Sequence, residues 1–219
     1  MQIYFVRHGK TEWNLASRFQ GAHGDSPLLP QSLADIKKLG QHLQGTDFQA
    51  IYASPLPRAY HTACGIRDAM GSKLPVHKEE LLREFDLGDM EGRHFDEVAK
   101  QEPVQMDNFW NHPDRYDASV FHAESYPHVI ARGKKFARQA AEQYSDPDDK
   151  VLAVSHGAAL SAMMGGLLGY PLAELRKNGG LGNTSLTILE TDDGGQTFHI
   201  VKWNDTSFLG RKLSKTDLL

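Results

Sequence analysis

The nine residues Met1-Gln2-Ile3-Tyr4-Phe5-Val6-Arg7-His8-Gly9 decide how the rest of the chain is read. Ile3 to Val6 form an apolar run of β-branched and aromatic side chains, the pattern of a buried strand. The run stops on an arginine and a histidine, glycine lets the backbone turn, and a helix-like segment follows Thr11. In open α/β sheets ligands bind beyond the carboxyl ends of the strands, so Arg7 and His8 stand where chemistry is done. The same arrangement recurs twice. Ala50-Ile51-Tyr52-Ala53-Ser54 is a second short strand, and Pro57 at the start of the next helix puts Arg58 at the junction. Val151-Leu152-Ala153-Val154-Ser155 is fully apolar, as at the centre of a parallel sheet, and ends on His156-Gly157 before another helix.

Parallel strands place their carboxyl ends on one edge of a sheet, so Arg7-His8, Arg58 and His156 can converge although none is near another in sequence. Strands alternating with helices predict a three-layer α/β/α sandwich with a mostly parallel central sheet. An antiparallel edge hairpin closes it, because Ser185 to Glu190 and Thr197 to Trp203 alternate around Asp192-Asp193-Gly194-Gly195. The helices show one apolar face each. Ser32 is the expected N-cap of the first, with Leu33, Ile36, Leu39 and Leu43 inward; Ala59, Ala63, Ile66 and Met70 line the second. Val129, Gly133, Phe136, Ala137, Ala140 and Tyr144 line a third. Residues 1–219 read as one domain, with 93–128 as a helical, lid-like insertion and 204–219 as a loosely held tail. The insertion is broken by Pro103, Pro113 and Pro127 and carries Phe95, Phe109, Trp110, Tyr116 and Phe121.

Composition narrows the function classes. At 219 residues, 24% charged and 40% hydrophobic, the chain has the make-up of a soluble globular protein. A net charge of −4 gives no global pull toward nucleic acid or an anionic membrane, so an anion site has to be built locally. The lone Cys64 forms no internal disulfide and suits a reducing compartment. Its place in an apolar helix face makes it a packing residue. No apolar run approaches the length of a membrane span, and the chain starts on a strand without a basic, apolar leader, so a cytoplasmic location is expected.

Two arginines and two histidines over helix N-termini form an anion site, since guanidinium forks match phosphate oxygens and helix-start N–H groups add donors. A neutral imidazole there can attack phosphorus, and neighbouring cations keep it neutral. The departing alkoxide needs a proton, for which Glu84 in the glycine-bounded loop is the candidate.

At these residues the chain resembles the histidine phosphatase superfamily, in the phosphoglycerate mutase-like family and as a phosphatase-type member. The matching stretches are Arg7-His8-Gly9 with Thr11-Glu12 and Asn14, Arg18-Phe19-Gln20-Gly21, Ser54-Pro55-Leu56-Pro57-Arg58-Ala59, Leu82-Arg83-Glu84 and Val154-Ser155-His156-Gly157. The resemblance implies that His8 is the phosphorylated nucleophile and that Arg7, Arg58 and His156 hold the phosphoryl group. It implies Glu84 as proton donor and later base, and Asn14, Gln20, Gly21 and the Gly157 backbone as lining of the phosphate site. No metal and no cofactor are implied. The expected partner is a small phosphorylated metabolite rather than nucleic acid or membrane, and a homodimer is left open.

The sequence departs from the family pattern in four places. Lys10 adds a cation at the expected mouth, and Leu29-Pro30-Gln31-Ser32 replaces the usual lead into the first helix. Met90 replaces a frequent tryptophan, and Ala123-Glu124-Ser125 replaces a usual Gly-Glu-Ser. The insertion histidines His94, His112, His122 and His128 lack the i, i+4 pairing with a carboxylate of a zinc site. Three readings remain: a phosphatase, a phosphoglycerate mutase, and a binding protein on an inactivated fold. The full set of His8, His156, Arg7, Arg58 and Glu84 argues against the last. Mutases of this family resemble one another in basic residues directly after the glutamate, whereas Phe85, Asp86 and Asp89 follow Glu84 here and predict an acidic, apolar mouth that favours a phosphatase.

Overall fold

The computed structural model describes residues 1–218. Six strands form one sheet: β1 (Gln2–Arg7), β2 (Ala50–Ala53), β3 (Val76–Lys78), β4 (Lys150–Ser155), β5 (Leu186–Glu190) and β6 (His199–Asp205), in the spatial order β3-β2-β4-β1-β5-β6. β3, β2, β4 and β1 are parallel, and β5 and β6 run antiparallel on one side. The register pairs Arg7 with Ser155 and Ala53 with Val154, so three strands end at one level. That level is where the sequence placed its polar junctions.

The alternation within each central strand separates two cores. Ile3, Phe5, Val151 and Ala153 face one way and join Val129, Phe136 and Ala137 of α6 (Tyr126–Gln143) and Leu160 and Met163 of α7 (Gly157–Leu167). Val6, Leu152 and Val154 face the other way, against Ile36 and Leu39 of α2 (Pro30–His42) and Ala59, Ala63 and Ile66 of α3 (Pro57–Met70). Period-2 side-chain direction thus makes one sheet serve two helical layers. The three-layer sandwich is the observed architecture. The remaining helices are a short α1 (Glu12–Leu15) and, within the insertion, α4 (Phe95–Gln101) and α5 (Pro103–Asn111).

Local readings need correction. α2 starts at Pro30, not after Ser32, because proline at the first helical position costs no hydrogen bond. Ser32 is buried and donates its hydroxyl to the Lys10 carbonyl (2.6 Å), so it ties the helix to the loop instead of capping it. Leu33 is 60% exposed; the inward stripe runs through Ser32, Asp35, Ile36 and Leu39. The C-terminal stretch is docked, not loose. Leu209 and Asp217 are buried, Arg211 bridges Asp35 and Asp217, and Lys10 Nζ reaches Thr216 Oγ1 (2.6 Å) and Asp217 (3.5 Å). Lys10 therefore anchors this segment and is not a free cation at a mouth.

Gly40 lets α2 and α3 touch. A Cβ there would lie 2.6 Å from the Ile66 carbonyl oxygen and against Ala69. Gly40→Ala gains about 1 kcal/mol of helix propensity but must push a backbone aside, an overpacking cost of about 1–3 kcal/mol. A net loss is expected, seen as a lower denaturation midpoint in urea. An unchanged or higher midpoint would show that the two helices part freely.

Candidate active site

β1 delivers His8 into a frame of backbone bonds. Its N–H donates to the Ser155 carbonyl (2.9 Å), and its own carbonyl accepts from Asn183 Nδ2 (3.1 Å). The next N–H, of Gly9, donates to Thr62 Oγ1 (3.0 Å). A Cβ at Gly9 would stand 3.0 Å from Ser32 Cβ, so glycine is what allows the turn to pass beneath α2. The His8 ring is fixed too. Its Nδ1 lies 2.7 Å from the Gly9 carbonyl, which only accepts, so Nδ1 carries the hydrogen and Nε2 keeps a free lone pair. Burial, then the charges of Arg58 and Arg7, hold the His8 pKa well below that of an ordinary histidine.

Two guanidinium groups are anchored from opposite sides. Arg7 Nη1 donates to the carbonyls of Leu181 (2.6 Å) and Asp217 (3.0 Å), and burial lowers its pKa to about 10, still cationic at neutral pH. A Cβ at Gly157 would sit 2.9 Å from Arg7 Nε, so glycine lets this arginine lie across the first turn of α7. Arg58, in the first turn of α3, donates to Asp25 Oδ1 and the Gly24 carbonyl (both 2.9 Å) and to the Gly21 carbonyl (3.0 Å). Its side chain is fully covered, and burial pushes its pKa down. The polar 10–30 loop thus wraps Arg58.

His156 caps the carboxyl end of β4. Its Nε2 shares a hydrogen bond with Ser54 Oγ (2.7 Å), and its ring stands edge-on to His8 with centroids 5.1 Å apart. Burial, followed by the Arg58 charge, keeps it neutral. His156 Nδ1, Arg58 Nε and Gln20 Nε2 are buried without a hydrogen-bond partner in the protein. Buried polar groups are ordinarily paired, so these three, Gln20 in the cleft wall and Arg58 and His156 just behind it, mark a place suited to an oxyanion. Asn14 contributes similarly: Thr11 occupies its carbonyl oxygen, leaving the amide NH2 for the cleft.

Glu84 lies against the other side of α7. Its Oε1 accepts from the N–H groups of Phe85 (2.9 Å) and Ala159 (2.7 Å), and Oε2 from Ala158 (3.3 Å). Burial raises its pKa, opposed by these N–H donors and by Arg58 and Arg132, and the net direction is up. A buried neutral base thus faces a carboxyl group biased toward its protonated form. The cleft between them holds about 580 Å³ of empty space counted to its solvent mouth, and Arg7, His8, Asn14, Gln20, Glu84 and Gly157 all line it.

A family model described as the histidine phosphatase superfamily (branch 1) matches residues 3–206. The chain belongs to that superfamily. Phosphoserine phosphatase 1 of Hydrogenobacter thermophilus is 30% identical over 210 residues, covering 96% of this chain and 95% of its own. A 2,3-bisphosphoglycerate-dependent phosphoglycerate mutase of Bradyrhizobium diazoefficiens is 32% identical over 165 residues, covering 74% and 78%. Among solved structures, YhfR of Bacillus stearothermophilus superposes with a TM-score of 0.87 at 34% identity, covering 95% of this chain and 98% of its own. The reaction is accordingly of the phosphatase or mutase kind.

In this superfamily member, six of the nine residues anticipated from sequence line the cleft, two stand just behind it and one does not reach it. Arg58 and His156 stand behind the cleft wall, as their burial shows. Gly21 does not line the cleft: it packs on Glu91 and the Phe85 carbonyl and gives its own carbonyl to Arg58. The anticipated acidic mouth is absent from the cleft. Phe85 is a core residue packed edge-on to Tyr126, Asp86 pairs with His23 in a second groove that Glu84 also lines, and Asp89 pairs with His122. Around the cleft stand Phe19, Phe95, Phe109 and Trp110 with Arg18 and Arg176, and Glu84 is its one carboxylate among the described residues. The insertion histidines are dispersed: His112 is near Asp107, His128 bonds Glu124, and His94 bonds the Ala16 carbonyl.

Sequence reading gave no role to Ser54 or Thr62, which stand in or just after the Ser54–Ala59 stretch, and missed Asn183, Arg132 and Arg176, which carry no short motif of their own. Arg132 lies beside the apolar stripe of α6, a position that reads as solvated. It is instead 11% exposed and donates to the carbonyls of Leu81 and Arg83 (2.7 Å each) and Glu84 (3.2 Å), while Glu124 holds it at 2.9 and 3.0 Å. Removing one member of such a buried pair strands the other, so Arg132→Met is expected to cost about 3 kcal/mol or more in urea unfolding. A cost under about 1 kcal/mol, typical of exposed pairs, would show that Arg132 does not brace the Glu84 loop.

Proposed function

We propose that the protein hydrolyses a small phosphomonoester, without a metal ion, through a phosphohistidine on His8. His8 Nε2 attacks phosphorus as the bond to the leaving oxygen breaks, and that oxygen takes the proton of Glu84. Water then attacks the phosphohistidine, gives its proton to Glu84 as the N–P bond breaks, and leaves inorganic phosphate and neutral His8. Arg7, Arg58 and the Gly157 N–H at the start of α7 meet the charge on the phosphoryl oxygens. The observation that carries this reading is the fixed tautomer of His8: Nδ1–H on the Gly9 carbonyl aims the unprotonated Nε2 away from it, in a pocket whose burial, and then its cations, favour the neutral ring.

Hydrolysis is supported over phosphoryl return by the phosphatase relative, which aligns along nearly the whole of both chains. A mutase is favoured by a different observation: Arg18 and Arg176 line the cleft and can hold a substrate carboxylate. Phosphate release in excess EDTA from aryl phosphates, sugar phosphates and 3-phosphoglycerate separates the two, with 2-phosphoglycerate followed in the same reactions. Net release that survives EDTA is the expected result. Isomerisation without release would replace it by the mutase reading, and loss of activity on chelation would remove the metal-free step.

A further inference from the structure

Arg18 and Arg176 are the cations lining the cleft that the proposed chemistry does not use; Arg18 donates to the Gly92 carbonyl (2.7 Å), whereas Arg176 stands on aromatic rings. Arg176 follows a short turn at Leu172–Glu174 and is held by neighbours that leave it little freedom. Leu175 beside it is buried against Gly165, whose missing Cβ makes room for it. The Arg176 guanidinium lies over Trp110 at 4.7 Å from the ring centroid and over Phe109 at 5.6 Å. Tyr126, whose hydroxyl hydrogen goes to the Phe109 carbonyl (2.6 Å), accepts at 3.5 Å from Arg176 Nη2.

What Arg176 lacks is an anion. Among the described residues no carboxylate pairs with it, and its Nε is buried without a hydrogen-bond partner. Its charge is felt by Arg7, so it faces the same cleft as the phosphoryl pocket. A half-buried guanidinium, fixed on aromatic rings and repelled by another cation, is costly unless a ligand supplies the opposite charge.

We infer that Arg176 reads a carboxylate on the leaving group, so that the substrate class is a phosphomonoester of a small organic acid. This rests on the proposed chemistry only for where the phosphoryl group goes. A carboxylate fits one guanidinium fork bidentately with one unit of charge. A second phosphoryl group carries more charge than one fork answers, whereas the first has both Arg7 and Arg58. Trp110, Phe109 and Phe95 would cover the apolar body between the two anions.

The test compares substrates that differ only in that charge: 3- and 4-carboxyphenyl phosphate and carboxymethyl phosphate, each against its carboxamide. Wild type is expected to prefer the carboxylates in kcat/KM by about 10- to 100-fold, the range of one charged hydrogen-bonded contact. Arg176→Gln is expected to bring the ratio close to one through KM, and Arg176→Lys to retain part of it. Calorimetric binding of the same pairs to His8→Ala reads the contact without turnover, so it stands even if the hydrolysis reading fails. Equal affinity and equal kcat/KM for acid and amide in every pair would overturn the inference. So would an Arg176→Gln protein that keeps the wild-type ratio while losing rate on both members, because Arg176 would then serve the phosphoryl group.

Discussion

Replacing His8 with alanine is expected to lower phosphate release by on the order of 10⁴-fold or more, as for other enzymes stripped of a covalent nucleophile. The rest of the pocket would persist, since Arg7, Arg58 and His156 are anchored by bonds that do not involve the His8 ring. Binding of phosphate should therefore survive where turnover does not. Rapid-quench experiments with labelled substrate give the sharper reading. Wild-type protein should carry an acid-labile, base-stable phosphoryl group during turnover, and His8→Ala should carry none. His156, with its ring centroid 5.1 Å from that of His8, is the informative alternative. Label found on His156, or substantial activity remaining in His8→Ala, would reverse the two assignments. The present assignment rests on what each ring is bonded to: the Nε2 of His156 is engaged by Ser54, and that of His8 is not.

Glu84→Gln is expected to act selectively. An alkoxide is a poor leaving group, and losing its proton donor should cost about 10²- to 10⁴-fold on alkyl phosphates. Aryl phosphates with an acidic phenol leave without that proton and should fall far less. A uniform loss on both classes would mean that Glu84 only supports the fold around α7. Its carboxylate does bind the Phe85, Ala158 and Ala159 N–H groups, so the denaturation midpoint of the variant must be measured alongside.

The pH dependence follows from the two opposed shifts. In the proposed reaction His8 works when neutral, and its pKa is lowered, so activity should rise through an acidic limb set below the ordinary histidine pKa of 6.5. Glu84 works when protonated and its pKa is raised above 4.5, so activity on alkyl phosphates should fall as pH passes through that higher value. Both shifts widen the window in which base and acid coexist in the required forms. In Glu84→Gln the alkaline limb should vanish and the acidic limb remain. An alkaline limb unchanged in the variant would assign it to another group.

Several features were legible in the sequence because they are local. The apolar runs at Ile3–Val6 and 151–154 specify buried strands through side-chain type alone, and β5 and β6 follow from alternation around a glycine turn. The convergence of Arg7, His8, Arg58 and His156 was legible because strand-to-helix junctions mark them, and the proximity of Glu84 because a family pattern does. The edges of elements were less so: Ser32 looks like a cap, but Pro30 two residues earlier starts the helix, and Leu33 turns outward.

What the tertiary structure alone decided is the environment of those residues. The acidic run after Glu84 looks like a mouth in sequence, yet packing turns Phe85 into the core, Asp86 into a second groove and Asp89 toward His122. The tail looks loose because it is polar, but Asp217 is buried among Lys10, Arg211 and Ser214, and its carbonyl receives Arg7. Arg132 and Arg176 carry no motif, and their roles depend on carbonyls and rings brought to them from elsewhere in the chain. A residue's type and neighbours in sequence set which chemistry it can do. Charge state, tautomer and access depend on desolvation and on partners distant along the chain, and those exist only once the chain has folded.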